Sequence, residues 1–290
     1  MNTYDELANP EYLKSLIDLE KQLNPDKYIL VTEGKGDNKV YEDLFDDLPI
    51  IILYGVGKDK CLSAVELANN DGEKDCAALI DSDFDSFDKT SHSCTTFQTD
   101  FPDIEGYTIH SEHWKKILQE IIIEGKLTKV RCSNLTEFRD KIIEISVPVG
   151  IVKYTVNRNP KYDYSLKKYK FDKTSKVLPK VENSSNLVIK RIIDLNKSKD
   201  WTDKENFEKL VLKNEKSVRS KIKKKQLLNS SIICQCIVDI INGKGLGNKL
   251  SGLKNINADG LRRIFRSSLT KDLFKKTNQY KEIEKWIYAT

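Results

Sequence analysis

Three short runs of apolar residues, each closed by polar or acidic side chains, alternate with segments in which apolar positions recur every three to four residues. The runs are Tyr28–Thr32, Ile50–Tyr54 and Cys76–Ile80. Unbroken apolarity over about five residues marks strands covered on both faces, as in a parallel sheet. A β-prone stretch, Thr95–Thr99, is a candidate fourth strand. Between the runs the period is helical. Residues 9–23 have Asn9 as a cap, Pro10 at the first helical position and Leu13, Leu16, Ile17 and Leu23 on one side. Asp37 to Asp46 would bury Val40, Tyr41, Leu44 and Phe45, and Asp59 can cap a helix carrying Leu62, Val65 and Leu67. The order βαβαβ with a further strand predicts an α/β fold, a parallel sheet flanked by helices.

Beyond about residue 113 the pattern becomes mainly helical. Helices are predicted over 113–124, 134–146, 203–228 and 231–241, on a segment bearing Arg262, Arg263 and Arg266, and in a last amphipathic run through Trp286. The expected division is residues 1–112, a catalytic α/β domain, and residues 113–290, a basic and mainly helical region for substrate or partner. No internal repeat is evident. Apolar residues over 231–241 and 273–288 (Ile232, Ile233, Ile237, Ile240, Phe274, Ile283, Trp286 and Ile287) exceed what a small helical layer readily covers. They predict either a homodimer surface or a core of that region.

Charge sharpens this division. Residues 1–112 hold 9 Lys and no Arg against 25 Asp and Glu, a net charge of −16, whereas residues 151–290 hold 33 Lys and Arg against 14 acids, a net +19. An acidic half suits a metal cation; a basic half suits a polyanion held by phosphate contacts. The stretch Lys153–Lys170 mixes Tyr154, Tyr162, Tyr164 and Tyr169 with Lys161, Lys167, Lys168 and Lys170, a composition suited to nucleic acid or to an exposed hairpin. Lys221, Lys223, Lys224 and Lys225 form a second basic cluster. There is no apolar run of about 18 residues, and the first residues lack the basic start and apolar stretch of a signal peptide, so a cytoplasmic protein is expected. The six cysteines have no C-x-x-C spacing, which favours neither zinc nor a disulfide framework.

The chemistry concentrates where strands end. Glu33 follows the first strand with Asp37 one helical turn beyond, and Asp81, Asp83 and Asp85 follow the third. Carboxyl ends of neighbouring parallel strands converge, and a few carboxylates there suffice to hold Mg²⁺ (or Mn²⁺) against substrate phosphates. Lys35 or Lys58 could add positive charge. Three other readings fit less well. A calcium loop starting at Asp81 would have Ser86 for its glycine and His92 for its last glutamate. An aspartyl-phosphate hydrolase with Asp81 as nucleophile leaves Glu33 unexplained. The Gly55-Val56-Gly57-Lys58 turn lacks the first glycine and the Ser/Thr of a phosphate-binding loop. Helix caps and turn formers account for either acidic motif alone more readily than for both together. His110 and His113 lack a third ligand nearby.

Glu-Gly-x-x-Asp after one strand and Asp-x-Asp after another resembles the Toprim domain, the metal-dependent module of topoisomerases, bacterial primases and OLD-type nucleases. The strings Val31–Asp37, Leu79–Asp85 and Thr99–Tyr107 are similar to those of Toprim nuclease subunits that accompany ABC-type ATPases in anti-phage systems, the PARIS type among them. Gly106 departs from the Asn common there, and Asn242–Leu246 lacks the His and Asp of a late Gly-His-Asp-Leu segment. The resemblance covers about residues 27–110. It implies a Mg²⁺-dependent nuclease, an antiviral effector cleaving RNA, with tRNA the first candidate, and controlled by an ABC-type ATPase. A DNA endonuclease of the OLD type and a catalytically silent adaptor for an ATPase are the alternatives. By this analogy Glu33 is the principal catalytic acid, assisted by Asp81 and Asp83, and Lys35 is added as a catalytic candidate from its place beside Glu33. Metal binding falls to Glu33, Asp37, Asp81, Asp83 and Asp85, with Asp100, Asp103 and Glu105 beside the site.

Overall fold

The computed structural model describes residues 9–85, 90–159, 204–221, 227–247 and 256–289. Its contacts divide the chain into two units, residues 1–107 with 266–290, and residues 108–265. The first unit is therefore discontinuous. Residues 266–290, which the sequence pattern grouped with the basic helical region, pack instead with the amino-terminal α/β half.

In the first unit, α1 (Pro10–Leu23), β1 (Tyr28–Thr32), α2 (Lys35–Leu44), β2 (Ile50–Tyr54), α3 (Lys58–Asn70), β3 (Cys76–Ile80) and β4 (Thr96–Gln98) follow one another as the apolar pattern requires. All strand pairs are parallel, in the order β2-β1-β3-β4. Asn9 caps α1 by accepting the Glu11 N–H at 2.9 Å, and Pro10 opens the helix. Two boundaries differ from expectation: α2 starts at Lys35 behind Gly34, and α3 starts at Lys58 behind Gly57 rather than at Asp59. Gly57 sits at φ 87°, a conformation that costs any other residue strain, so the turn fixes where α3 begins.

Alternation along the strands gives the sheet two apolar faces. Ile29, Val31, Cys76, Ala78 and Ile80 meet Leu13 and Ile17 of α1 and Cys61, Ala64, Val65 and Ala68 of α3. Leu30, Ala77, Leu79 and Phe97 face the other way, against Tyr41 and Leu44 of α2 and Phe45, which caps it. There they also meet Phe274 of α10 (Lys271–Phe274) and Tyr280, Ile283 and Ile287 of α11 (Asn278–Tyr288). Aromatic contacts reinforce this face: Phe274 lies 5.4 Å from Phe45 and 5.7 Å from Tyr107, both edge-on. Tyr28 donates to the Ile287 carbonyl at 2.9 Å, joining the first strand to the last helix. Lys271 pairs with Asp46 and Asp47, and Lys275 with Asp47.

The second unit is helical: α5 (His113–Ile121), a 3₁₀ segment (Glu124–Val130), α6 (Leu135–Arg158), α7 (Lys204–Lys221), α8 (Ser230–Lys244) and most of α9 (Ala258–Ser267), with the short α4 (Glu105–Ile109) leading into it. The sequence pattern ended a helix near residue 146, before Pro148, but α6 continues to Arg158 with Pro148 buried inside it. The proline removes one backbone hydrogen bond. Burial of Ile142 to Val152 against α7 and α8 outweighs that loss. Gly150 admits the close approach of Leu227 and Leu228, since a Cβ there would lie 2.8 Å from Leu228.

Burial places the expected apolar residues: Ile232, Ile233, Ile237, Ile240, Phe274, Ile283 and Ile287 are all buried within the chain and form its own cores, the second of the two outcomes that the pattern allowed. Lys153 to Arg158 belong to α6, not to a hairpin. Lys161, Lys167, Lys168, Lys223, Lys224 and Lys225 lie outside the described residues, and Lys221 ends α7. Among the described residues no helix is long and apolar enough to cross a membrane.

Candidate functional site

β1 and β3 are neighbours in the sheet, and their connections leave in opposite directions, β1 towards β2 and β3 towards β4. Such a switch point opens a crevice at the carboxyl ends of the strands. Thr32 pairs with Leu79, so the register brings Glu33, one residue past β1, to the end of β3. There the Glu33 Oε1 accepts the backbone N–H of Asp81 at 2.9 Å. Two motifs 48 residues apart thus share one hydrogen bond.

The loops around this pair are tightly specified. Past β3, Ser82 donates its N–H to Thr99 Oγ1 at 2.9 Å and its hydroxyl to the Phe101 carbonyl at 2.6 Å. Asp83 follows at φ 43°, in the left-handed region, with its N–H bonded to the Pro102 carbonyl. A non-glycine residue held there stores local strain, a common mark of functional loops. On the β1 side, the Gly34 carbonyl accepts from Asp37 and Asn38, which starts α2 and places Asp37 in its first turn. The positive end of a helix favours the acid at that position.

Two cations enter the cluster from different elements. Lys58, first residue of α3, donates to the Asp81 carbonyl at 2.6 Å and pairs with Asp85 at 2.8 Å and Asp83 at 3.4 Å. Arg266, in the last turn of α9, pairs with Glu105 at 2.6 Å and with Asp37 at 3.2 Å. His92 stands 3.6 Å from Asp85 and shares Gln98 with it. Of these, the sequence pattern predicts only Lys58 at the acids; it puts Arg266 on a basic helical segment and makes His92 only a mismatch to a calcium loop. Arg266 comes from the far end of the chain, and no local pattern signals its position.

Electrostatics set the acids apart from ordinary carboxylates. Burial pushes Glu33 up to about 7; the Asp81 N–H and Lys58 oppose the rise, while Asp83 and Asp37 add to it. Asp81 is raised well above the usual range, first by burial and then by Asp103, Glu33, Asp37 and Glu105. Several acids that repel one another in a desolvated crevice are stable only with protons or cations among them.

Other expected residues are placed as follows. Lys35 is exposed at the start of α2, and Lys58 is the lysine that meets the acids. Asp103 and Glu105 are buried beside Asp81, as their effect on it indicates. Asp100 is turned elsewhere: its carboxylate accepts the Asn278 and Gln279 N–H groups at 2.9 and 3.0 Å and so receives the amino end of α11. Gly106 has a steric cause, because a Cβ there would come within 2.4 Å of the Phe101 Cβ. Asn242 to Gly245 close α8, with Gly245 in a left-handed cap. Among the described residues no group of three His, Cys, Asp or Glu stands in ready metal-ligand geometry; Lys58 and Arg266 engage four of the acids instead. Compared with protein-family models, curated proteins and solved structures, the chain matches none.

Proposed function

We propose that this chain is a metal-dependent nuclease whose site is the acid cluster at the ends of β1 and β3. The observation that carries the reading is the Glu33–Asp81 hydrogen bond at the switch point, with Asp37, Asp83, Asp85, Asp103 and Glu105 around it. The donor set fits a divalent cation: the oxygens are hard, and their mutual repulsion is the kind that a cation relieves. Glu33, Asp37, Asp81 and Asp83 would hold Mg²⁺ or Mn²⁺, with Asp85, Asp103 and Glu105 available around them. When bound, the metal supplies positive charge for a phosphate and acidifies bound water.

The residues of the chain supply the rest. Glu33, with its carboxyl near 7, can accept a proton at neutral pH, the property wanted of a general base for an attacking water or hydroxyl. The attacking oxygen bonds to phosphorus, the bond to the departing oxygen breaks, and the proton passes to Glu33. Lys58 offers a charge to the phosphate oxygens from the adjacent helix start. The basic sequences 153–170 and 221–225 supply the polyanion-binding charge.

RNA, with tRNA foremost, is our leading substrate, and control by an ABC-type ATPase follows from the Toprim resemblance. Engagement of Lys58 and Arg266 with the acids also accommodates a catalytically silent adaptor for such an ATPase. Incubating the protein with tRNA and with supercoiled plasmid, with Mg²⁺ or with EDTA, separates the readings. Metal-dependent tRNA cleavage supports ours, plasmid cutting alone supports a DNA endonuclease, and no cutting of either leaves the adaptor.

A further inference from the structure

Arg266 is not a loose surface charge. Its guanidinium donates through Nε and Nη2 to Glu105 Oε1, at 3.2 and 2.6 Å, while Nη1 reaches Asp37 at 3.2 Å. The Glu105 side chain is only 1% exposed, so its charge depends on a partner within the protein. The backbone makes room for this fork. A Cβ on Gly36 would stand 2.6 Å from Nη1, so a side chain at position 36 and the present guanidinium position exclude each other. Lys58 meanwhile serves Asp83 and Asp85 on the other side of the cluster. Four of the seven acids are thus held by two internal cations, Asp37 and Glu105 by Arg266 and Asp83 and Asp85 by Lys58.

We infer that Arg266 is the resident counter-cation of the site, competing with a divalent cation for Asp37 and Glu105 and thereby setting how tightly the metal is held. This rests on the metal-dependent reading above. Two cations that neutralise the same carboxylates oppose one another, and the opposition is reciprocal: the metal must weaken the hold of Arg266 as much as Arg266 weakens that of the metal. Arg266 is accordingly a positioning residue, and the segment it belongs to is coupled to metal loading.

The test is calorimetric titration of Mn²⁺ and Mg²⁺ into the full-length wild type, Arg266→Gln and Gly36→Ala, with melting temperatures in EDTA and in saturating metal. Arg266→Gln should melt lower in EDTA, gain more from metal than the wild type does, and bind metal about tenfold more tightly. Gly36→Ala keeps every charge and displaces only the tip of the arginine, so it should shift affinity the same way by less. It also stands in for Arg266→Gln should that variant fail to fold. Metal binding by the wild type with affinity unchanged or weakened in the variants overturns the competition and leaves the metal reading standing. Absence of binding in every protein, wild type included, overturns both.

Discussion

Glu33 holds the backbone N–H of Asp81 at 2.9 Å, so the acid after β1 fixes the chain where it leaves β3. This one bond makes Glu33 both a chemical group and a structural tie. Glutamine retains the accepting oxygen and loses only the charge, which makes Glu33→Gln a cleaner probe than alanine.

The first prediction is that Glu33→Gln and Asp81→Asn abolish metal-dependent cleavage while the protein keeps its helical circular dichroism. Each change removes a carboxylate from a site whose proposed chemistry needs charge, and each leaves the side-chain volume in place. Cleavage by both variants at the wild-type rate would falsify the site assignment.

The second concerns pH. Glu33 titrates near 7 in the folded chain against an ordinary 4.5, so the folded state binds the extra proton between those values. Stability of the metal-free protein should therefore be highest below about 4.5 as far as this group is concerned, and should fall as pH rises to 7. The full effect is on the order of 3 kcal/mol. Urea unfolding in EDTA at pH 5 and pH 8 measures it. The drop between the two should shrink in Glu33→Gln, and an identical drop in both proteins would show that Glu33 does not titrate there.

How far these residues could be read in advance depended on distance along the chain. Glu33, Asp81 and their strands were legible because a buried strand and the acid after it are neighbours in sequence, and the parallel order follows from alternation of strands with helices. Arg266 was not, since its pairing with Asp37 and Glu105 is a long-range event that leaves no local period. The same holds for Phe274, Ile283 and Ile287. Their apolar spacing announced a buried face correctly, but nothing local could say that the face was the sheet of the first unit rather than a second protomer. Asp100 stands in an acidic string beside Asp103 and Glu105 of the cluster, and only its acceptance of the Asn278 and Gln279 N–H groups distinguishes it.

Third, the segment after residue 265 should prove essential to the stability of the α/β unit. Phe274 is fully buried against Phe45 and Tyr107, and Phe274→Ala should cost about 3–5 kcal/mol in chemical denaturation. Asp100→Ala, which strips the amino end of α11 of its acceptor, should cost about 1–2 kcal/mol. Losses below about 0.5 kcal/mol for both would mean that the returning segment is merely laid on the sheet.

A fourth prediction follows from the glycine that interrupts the third acidic string. Restoring the Asn of the resembling proteins, Gly106→Asn, should destabilise this chain by about 1–3 kcal/mol, because Phe101 occupies the space. The double variant with Phe101→Ala should be less unstable than the sum of the two single changes. Strict additivity in that cycle would place the cause elsewhere.

The bond from Tyr28 to Ile287 spans 259 positions, so the strand is synthesised long before the helix it is tied to. While a ribosome is still reading the intervening codons, the face formed by Leu30, Ala77, Leu79 and Phe97 is covered by Tyr41, Leu44 and Phe45 but not yet by Phe274, Ile283 and Ile287, and Glu105 lacks Arg266. Contacts of such wide separation form late and slowly, and exposed apolar surface in the interval invites chaperones. A nascent chain arrested before Arg266 would carry all seven acids of the cluster and still lack the cation that pairs with Asp37 and Glu105. Synthesis itself then imposes an order of events, in which the acids exist long before the arginine that pairs with two of them.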